Sequence, residues 1–260
     1  MGHTRLGRLP KTLRWREVIE LLDTSPRDAA GIAGAAVIAA ERRLRELRDD
    51  PSLSHSFWLL TRIALASRGE AFVTDLAQLG ISVKPSESVL TFISRLTDET
   101  RRHLASETGS GHFAEIASLA LRRALTDTVG QQGRSLFGSS VEDLQAAFRT
   151  HSSGQQFGVL SRRFFGDFLA RTLRSFIDRE LSARLGSSEK LATVADSEQF
   201  TRALDTYARQ SARILEDFAS GWYSKHNWES KGDISPEDAL AFVAIGLRKL
   251  RMELKLGAAA

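Results

Sequence analysis

The stretch FGVLSRRFFGDFLARTLRSFIDREL, residues 157–181, decides the fold class. Its apolar residues Phe157, Leu160, Phe164, Phe168, Phe176, Ile177 and Leu181 return at helical intervals, and Arg162, Arg163, Arg171 and Arg174 fall mostly off that face. A strand would alternate with a period of two and favour β-branched residues, so this segment reads as one long amphipathic helix.

The same period recurs on both sides. Upstream, Trp15, Val18, Ile19 and Leu22 mark a short helix, and Ser25-Pro26-Arg27-Asp28 reads as a cap opening a helix that runs to about Arg48. The first half of that helix is rich in small residues, Ala29 to Ala36, which suits close approach by a neighbour. Asp49 to Ser52 breaks the chain before a segment carrying Phe57, Trp58, Leu60, Ile63 and Leu65. A further helix with Phe72, Leu76 and Leu79 should close on Gly80 as a left-handed cap. Val89 to Leu104 and Phe113 to Leu125 give two more, with loops at Gly109–Gly111 and around Gly130 and Gly133. Ser140-Val141-Glu142-Asp143 is a capping-box signature, and Ser152-Ser153-Gly154 reads as a flexible joint.

Downstream, Asp196 or Ser197 caps a helix carrying Phe200, Leu204, Tyr207, Ile214, Leu215 and Phe218, and a polar turn spans Lys225 to Asp233. Ser235-Pro236-Glu237-Asp238 then opens a last helix with Leu240, Val243, Leu247, Leu250 and Leu254. No segment alternates like a strand. The expectation is an all-α, irregular multi-helix bundle with little or no sheet.

Composition agrees with a folded chain. The 260 residues are 42% hydrophobic and 26% charged, away from the composition of disordered chains. There is no cysteine, which excludes disulfides, thiolate metal sites and a cysteine nucleophile. The longest nearly apolar stretch, Ala29 to Ala40, falls well short of the ~20 residues a membrane span needs. The basic N-terminus lacks the apolar run of a signal peptide, so the cytoplasm is the expected location. Charge is concentrated at the ends. Arg5, Arg8, Lys11, Arg14 and Arg16 exceed the formal net charge of +4, so the rest of the chain sums to −1. The second excess lies on the last helix, where Arg248, Lys249, Arg251 and Lys255 face only Glu253.

Motifs that could carry chemistry have simpler explanations. Gly130-Gln131-Gln132-Gly133-Arg134-Ser135 lacks the lysine and the preceding strand of a phosphate loop. The six histidines are scattered, and neither His112 with Glu115 nor Glu99 with His103 comes with the further ligands a metal needs. Ser54-His55-Ser56 has no glycine-framed elbow, and Glu142-Asp143 and Glu237-Asp238 sit in first helical turns, where the helix dipole favours acids. No catalytic constellation, metal site or cofactor site is expected, and the chain reads as a non-enzyme.

Two segments are left for contacts with other molecules. Trp222, Tyr223, His226 and Trp228 cluster with Lys225 and Lys231, either as packing or interface aromatics or as a platform for bases. In the N-terminal arm, cations alternate with Leu6, Leu9, Leu13 and Trp15, which is apolar for a solvated tail. The candidate partner-binding residues are therefore Arg5, Leu6, Arg8, Leu9, Lys11, Arg14, Trp15, Trp222, Trp228, Arg248, Lys249 and Arg251. The domain reading is an extended basic arm over 1–16, a helical lobe over 17–151, a second lobe over 155–256 packed on it, and a disordered tail at 257–260. One continuous domain is the alternative.

The opening Gly2-His3-Thr4-Arg5-Leu6-Gly7-Arg8-Leu9-Pro10-Lys11-Thr12, followed by Trp15, resembles the start of uncharacterised all-α proteins encoded beside ATPases and nucleases in bacterial multi-gene anti-phage defence operons. The resemblance covers those positions alone and transfers no site residue. It implies an accessory subunit of a larger assembly. The expected function is thus a non-enzymatic scaffold or regulatory subunit that contacts other protein subunits through the arm and the last helix. The alternative is an accessory factor that binds nucleic acid with the same two basic segments. Neither a membrane nor a small-molecule ligand is expected.

Overall fold

The computed structural model describes residues 13–24, 28–40, 47, 50–108, 112–132, 140–184, 194–230 and 232–257. They form α1 (Leu13–Thr24), α2 (Ala29–Ala39), α3 (Pro51–Ala66), α4 (Phe72–Gln78), α5 (Val89–Thr108) and α6 (His112–Asp127). There follow α7 (Val129–Gln132), α8 (Val141–Arg149), α9 (Gly154–Arg184), α10 (Val194–Ser211), α11 (Ile214–Glu229) and α12 (Pro236–Gly257). No strand occurs among the described residues. The protein is an all-α multi-helix bundle.

The axis of the bundle is α9, whose 31 residues make a rod roughly 46 Å long. From Phe164 to Ala170 every residue is buried. A helix buried on all sides is a central one, and α9 touches α1, α2, α3, α6, α10 and α11. Its closest neighbour is α11. A Cβ on Gly158 would stand 2.4 Å from the carbonyl oxygen of Glu216, so only hydrogen at that position lets the two backbones approach.

Phe242 of α12 lies at the meeting point of four helices. Its ring stacks on Phe57 of α3 at 4.5 Å and on Phe218 of α11 at 4.9 Å, with Trp222 at 4.8 Å and Phe165 of α9 at 5.9 Å. Such pairs each contribute about 0.5–1.5 kcal/mol beyond the area they bury. The core they anchor is one connected cluster running from Trp15 to Leu254. Helices from the two halves of the chain interleave in it: α12 packs on α2 and α3, and α10 on α2. Ser152 in the joint before α9 is buried and its hydroxyl donates to the carbonyl of Arg149 at 2.8 Å.

Several local expectations hold and several are corrected. Ser140 with Asp143, and Ser235 with Asp238, make reciprocal side-chain-to-backbone bonds that start α8 and α12. Gly80 ends the α4 turn with φ of 75°. The cap of α2, however, is Asp28, whose carboxylate accepts from Gly31 N at 2.8 Å, and α2 ends at Ala39; residues 41–46 and 48, over which the helix was expected to continue, lie outside the described residues. Residues 13–16, assigned to the extended arm, already belong to α1. The helix expected from 196 onward starts at Val194 and divides at Ala212–Arg213. Its second part, α11, continues through Lys225 to Glu229, where a polar turn was expected. The turn itself is confined to residues around Gly232, at φ of 89°. In α12, Leu240 is 38% exposed and Phe242 takes the core position.

Candidate functional site

The contact residues expected from sequence divide sharply. Arg5, Leu6, Arg8, Leu9 and Lys11 lie outside the described residues. Arg14 is exposed, and its Nη1 donates to the carbonyl of Ile38 at 3.4 Å, a cation placed at the C-terminal end of α2. Trp15 is a core residue: it is 3% exposed and meets the edge of Phe176 on α9 at 6.0 Å. That burial removes it from the surface, because the face of α1 shared with Val18 and Leu22 packs inward. Trp222 is half-buried between Phe57, Phe242 and His226. Tyr223 stacks on Phe157 at 4.1 Å, and burial pushes its phenol up to about 12. Of the four ring-bearing residues of that cluster only Trp228 is open, at 82%.

The outer face of α12 is a continuous surface. Ala241, Ile245, Arg248, Met252 and Leu256 are all exposed and recur at steps of three or four residues, which places them on one side of the helix. Leu240 adjoins this stripe, Lys249 places its ammonium 5.1 Å over the Phe218 ring, and Arg251 is half-buried. The opposite face, Ala239, Phe242, Val243, Leu250 and Leu254, is the part held in the core.

A second site was not foreseen. Between α6, α9 and α10 a recess of about 220 Å³ is lined by Arg123, Ala124, Asp127, Val159, Arg162, Arg163, Asp167 and Arg209. Helical spacing builds it: Val159, Arg163 and Asp167 follow one another at four-residue steps along α9, and Arg123 and Asp127 do the same on α6. Asp127 Oδ2 takes the Nε of Arg123 at 2.7 Å and has Arg163 Nη1 at 3.9 Å. Asp167, with a side chain 4% exposed, meets two arginines through separate oxygens, Oδ2 with Arg171 Nε at 2.5 Å and Oδ1 with Arg209 Nη2 at 3.4 Å. Arg162 pairs across to Glu216 of α11 at 2.9 Å, and Arg174 to Asp205 of α10 at 2.9 Å. Burial raises the Asp205 carboxyl above its ordinary value, opposed by the cations of Arg174 and Arg209. Burial likewise lowers His151, with the charge of Arg163 adding to the effect.

The sequence exposed half of this arrangement, the arginines off the aromatic face of α9. The other half comes from Arg123 and Arg209, which lie on other helices and carry no local signal. A similar limit applies to His55 and His103, whose rings lie 4.7 Å apart across α3 and α5. Burial foremost, then the neighbouring imidazole, brings His55 down to about 4, which keeps it neutral. No group of three or more metal-ligating side chains occurs among the described residues, and no described helix is long and apolar enough to cross a membrane. Comparison with known proteins returns no family model, no curated protein and no solved structure that matches the chain.

Proposed function

We propose that the chain is a non-enzymatic all-α scaffold or regulatory subunit of a bacterial multiprotein assembly, with an anti-phage defence complex as the setting that the N-terminal resemblance suggests. The observation that carries this reading is the outer face of α12. It presents Ile245, Met252 and Leu256 to solvent around Arg248, on a helix whose other face is fixed in the core. An amphipathic helix of a partner would dock there through anchors at matching three- and four-residue steps. On this stripe apolar side chains surround one exposed cation, Arg248, which supports a protein partner over a nucleic-acid backbone, since a backbone would be met by a basic track.

The test is to mix the protein with the products of neighbouring genes and follow complex formation by size-exclusion chromatography. A complex is expected, and the double variant Ile245→Glu, Met252→Glu should abolish it while leaving the helical circular-dichroism spectrum unchanged. Persistence of the free protein with every neighbour would overturn the reading. Removing residues 1–12 in parallel measures the share of the basic arm.

A further inference from the structure

The arginine-lined recess has more positive charge than its own carboxylates can neutralise. The ion pairs that include its lining residues, followed outward, join six arginines (Arg123, Arg162, Arg163, Arg171, Arg174 and Arg209) to four carboxylates: Asp127, Asp167, Asp205 and Glu216. Asp178, which interacts electrostatically with both Arg174 and Asp205, is a fifth carboxylate beside these pairs, so among the described residues the network carries a surplus of one positive charge. Burial raises Asp205, which makes its negative charge harder to hold and cannot reduce that surplus.

Donor geometry points the same way. A guanidinium carries five N–H donors in a rigid fork. Arg123, Arg162 and Arg209 spend one nitrogen each on Asp127, Glu216 and Asp167, and Arg163 stands 3.9 Å from an oxygen that Arg123 already holds at 2.7 Å. Four forks from three helices thus converge on one cavity with donors that have no partner among the described residues. The side chains are held by ion pairs, including those to Asp127 and Asp167 in the lining itself, and are one-third to one-half exposed, so they are oriented without being sealed. The cavity of about 220 Å³ is smaller than the sites of drug-sized ligands, which suits a compact group more than a whole cofactor.

We propose that this recess binds a phosphate group, as inorganic phosphate or as the end of a small phosphomonoester. A phosphate monoester carries about −1.5 to −2 charge at neutral pH and acceptor oxygens that match paired guanidinium donors. The proposal is independent of the α12 face, since none of the lining residues lies on that helix.

The experiment uses the full chain and calorimetric titration with two probes, inorganic phosphate and glycerol phosphate, against sodium chloride at matched ionic strength. One-site saturable binding of at least one probe is expected, with no counterpart in chloride. Arg163→Gln and Arg123→Gln should each weaken it by about tenfold, the value of losing a charge-assisted hydrogen bond. Both side chains are about half exposed, so the variants should fold, with helical content checked by circular dichroism. Arg248→Gln on α12 should leave affinity unchanged and thereby exclude a general charge effect. Tighter binding of glycerol phosphate would identify an organic phosphomonoester as the ligand, and equal or tighter binding of inorganic phosphate the free anion. Absence of binding by both probes, or affinity untouched by Arg163→Gln, overturns the proposal.

Discussion

Arginine is used in two opposite ways in this molecule. Arg95 on α5 is fully committed to its own chain. Its Nε and Nη2 grip both oxygens of Glu87 at 2.8 and 2.7 Å, its Nη1 reaches Glu99 at 3.1 Å and Ser82 Oγ at 3.2 Å, and Nη2 also meets the Ser82 carbonyl. The result is a clamp that fastens residues 82–87 onto the helix. In the recess beside α9, four arginines share the few carboxylates in reach. The difference teaches where to look for function: a guanidinium whose donors are satisfied internally holds structure, and one that shares its counter-ion is available to an external anion.

The comparison can be broken most directly at the clamp. Arg95→Ala leaves the Glu87 carboxylate, whose side chain is 3% exposed, without its partner, and breaking such a pair costs about 3 kcal/mol. Urea unfolding should show that loss, and a change below about 1 kcal/mol would mean the clamp is no more structural than the recess. Next in size is Gly158→Ala. Its Cβ would press on the Glu216 carbonyl at 2.4 Å, so α11 must shift, at about 2 kcal/mol by the usual cost of overpacking. Because Glu216 also holds Arg162, this variant should weaken phosphate binding as well as stability, which calorimetry on the same sample would read.

Acid titration sharpens the contrast further. The hydrogen bonds from Arg95 hold the Glu87 carboxyl below its ordinary value of 4.5. A carboxylate depressed in the folded state contributes stability that is fully present above its unfolded value and is lost as pH falls through the folded one. Wild-type protein should therefore lose stability relative to Glu87→Gln below about pH 4.5, when unfolding curves are compared at pH 7 and in acid. The smallest effect on stability belongs to Arg163→Gln. Its only ion pair among the described residues is long and half exposed, so the change should stay within about 0.5 kcal/mol even where anion binding is lost.

Much of this fold could be read from adjacent residues. The aromatic run from Phe157, the capping residues Ser140 and Ser235 and the glycine at 80 each act within one or two turns, so their signals are complete in the sequence. Boundaries were harder. The break at Ala212–Arg213 falls inside an uninterrupted helical pattern and carries neither proline nor glycine, and α2 takes its cap from Asp28, three residues after the Ser25 that the pattern suggested.

By itself, the sequence determined that the chain is helical, where most helices begin, and that α9 carries aromatics on one face and arginines on another. These follow from local periodicity and capping, whose energies depend on neighbours along the chain. Tertiary structure alone decided that Trp15 and Trp222 turn inward and that Phe242 gathers the aromatic core. It also decided that Arg123, Arg163 and Arg209 surround one cavity. Those outcomes rest on contacts between helices far apart in the chain, as Arg209 and Asp167 are by 42 residues, and no local pattern encodes a pair at that separation. The recess is therefore a property of the packed bundle, with the charge of each arginine written in the sequence and their convergence fixed only when α6, α9 and α10 meet.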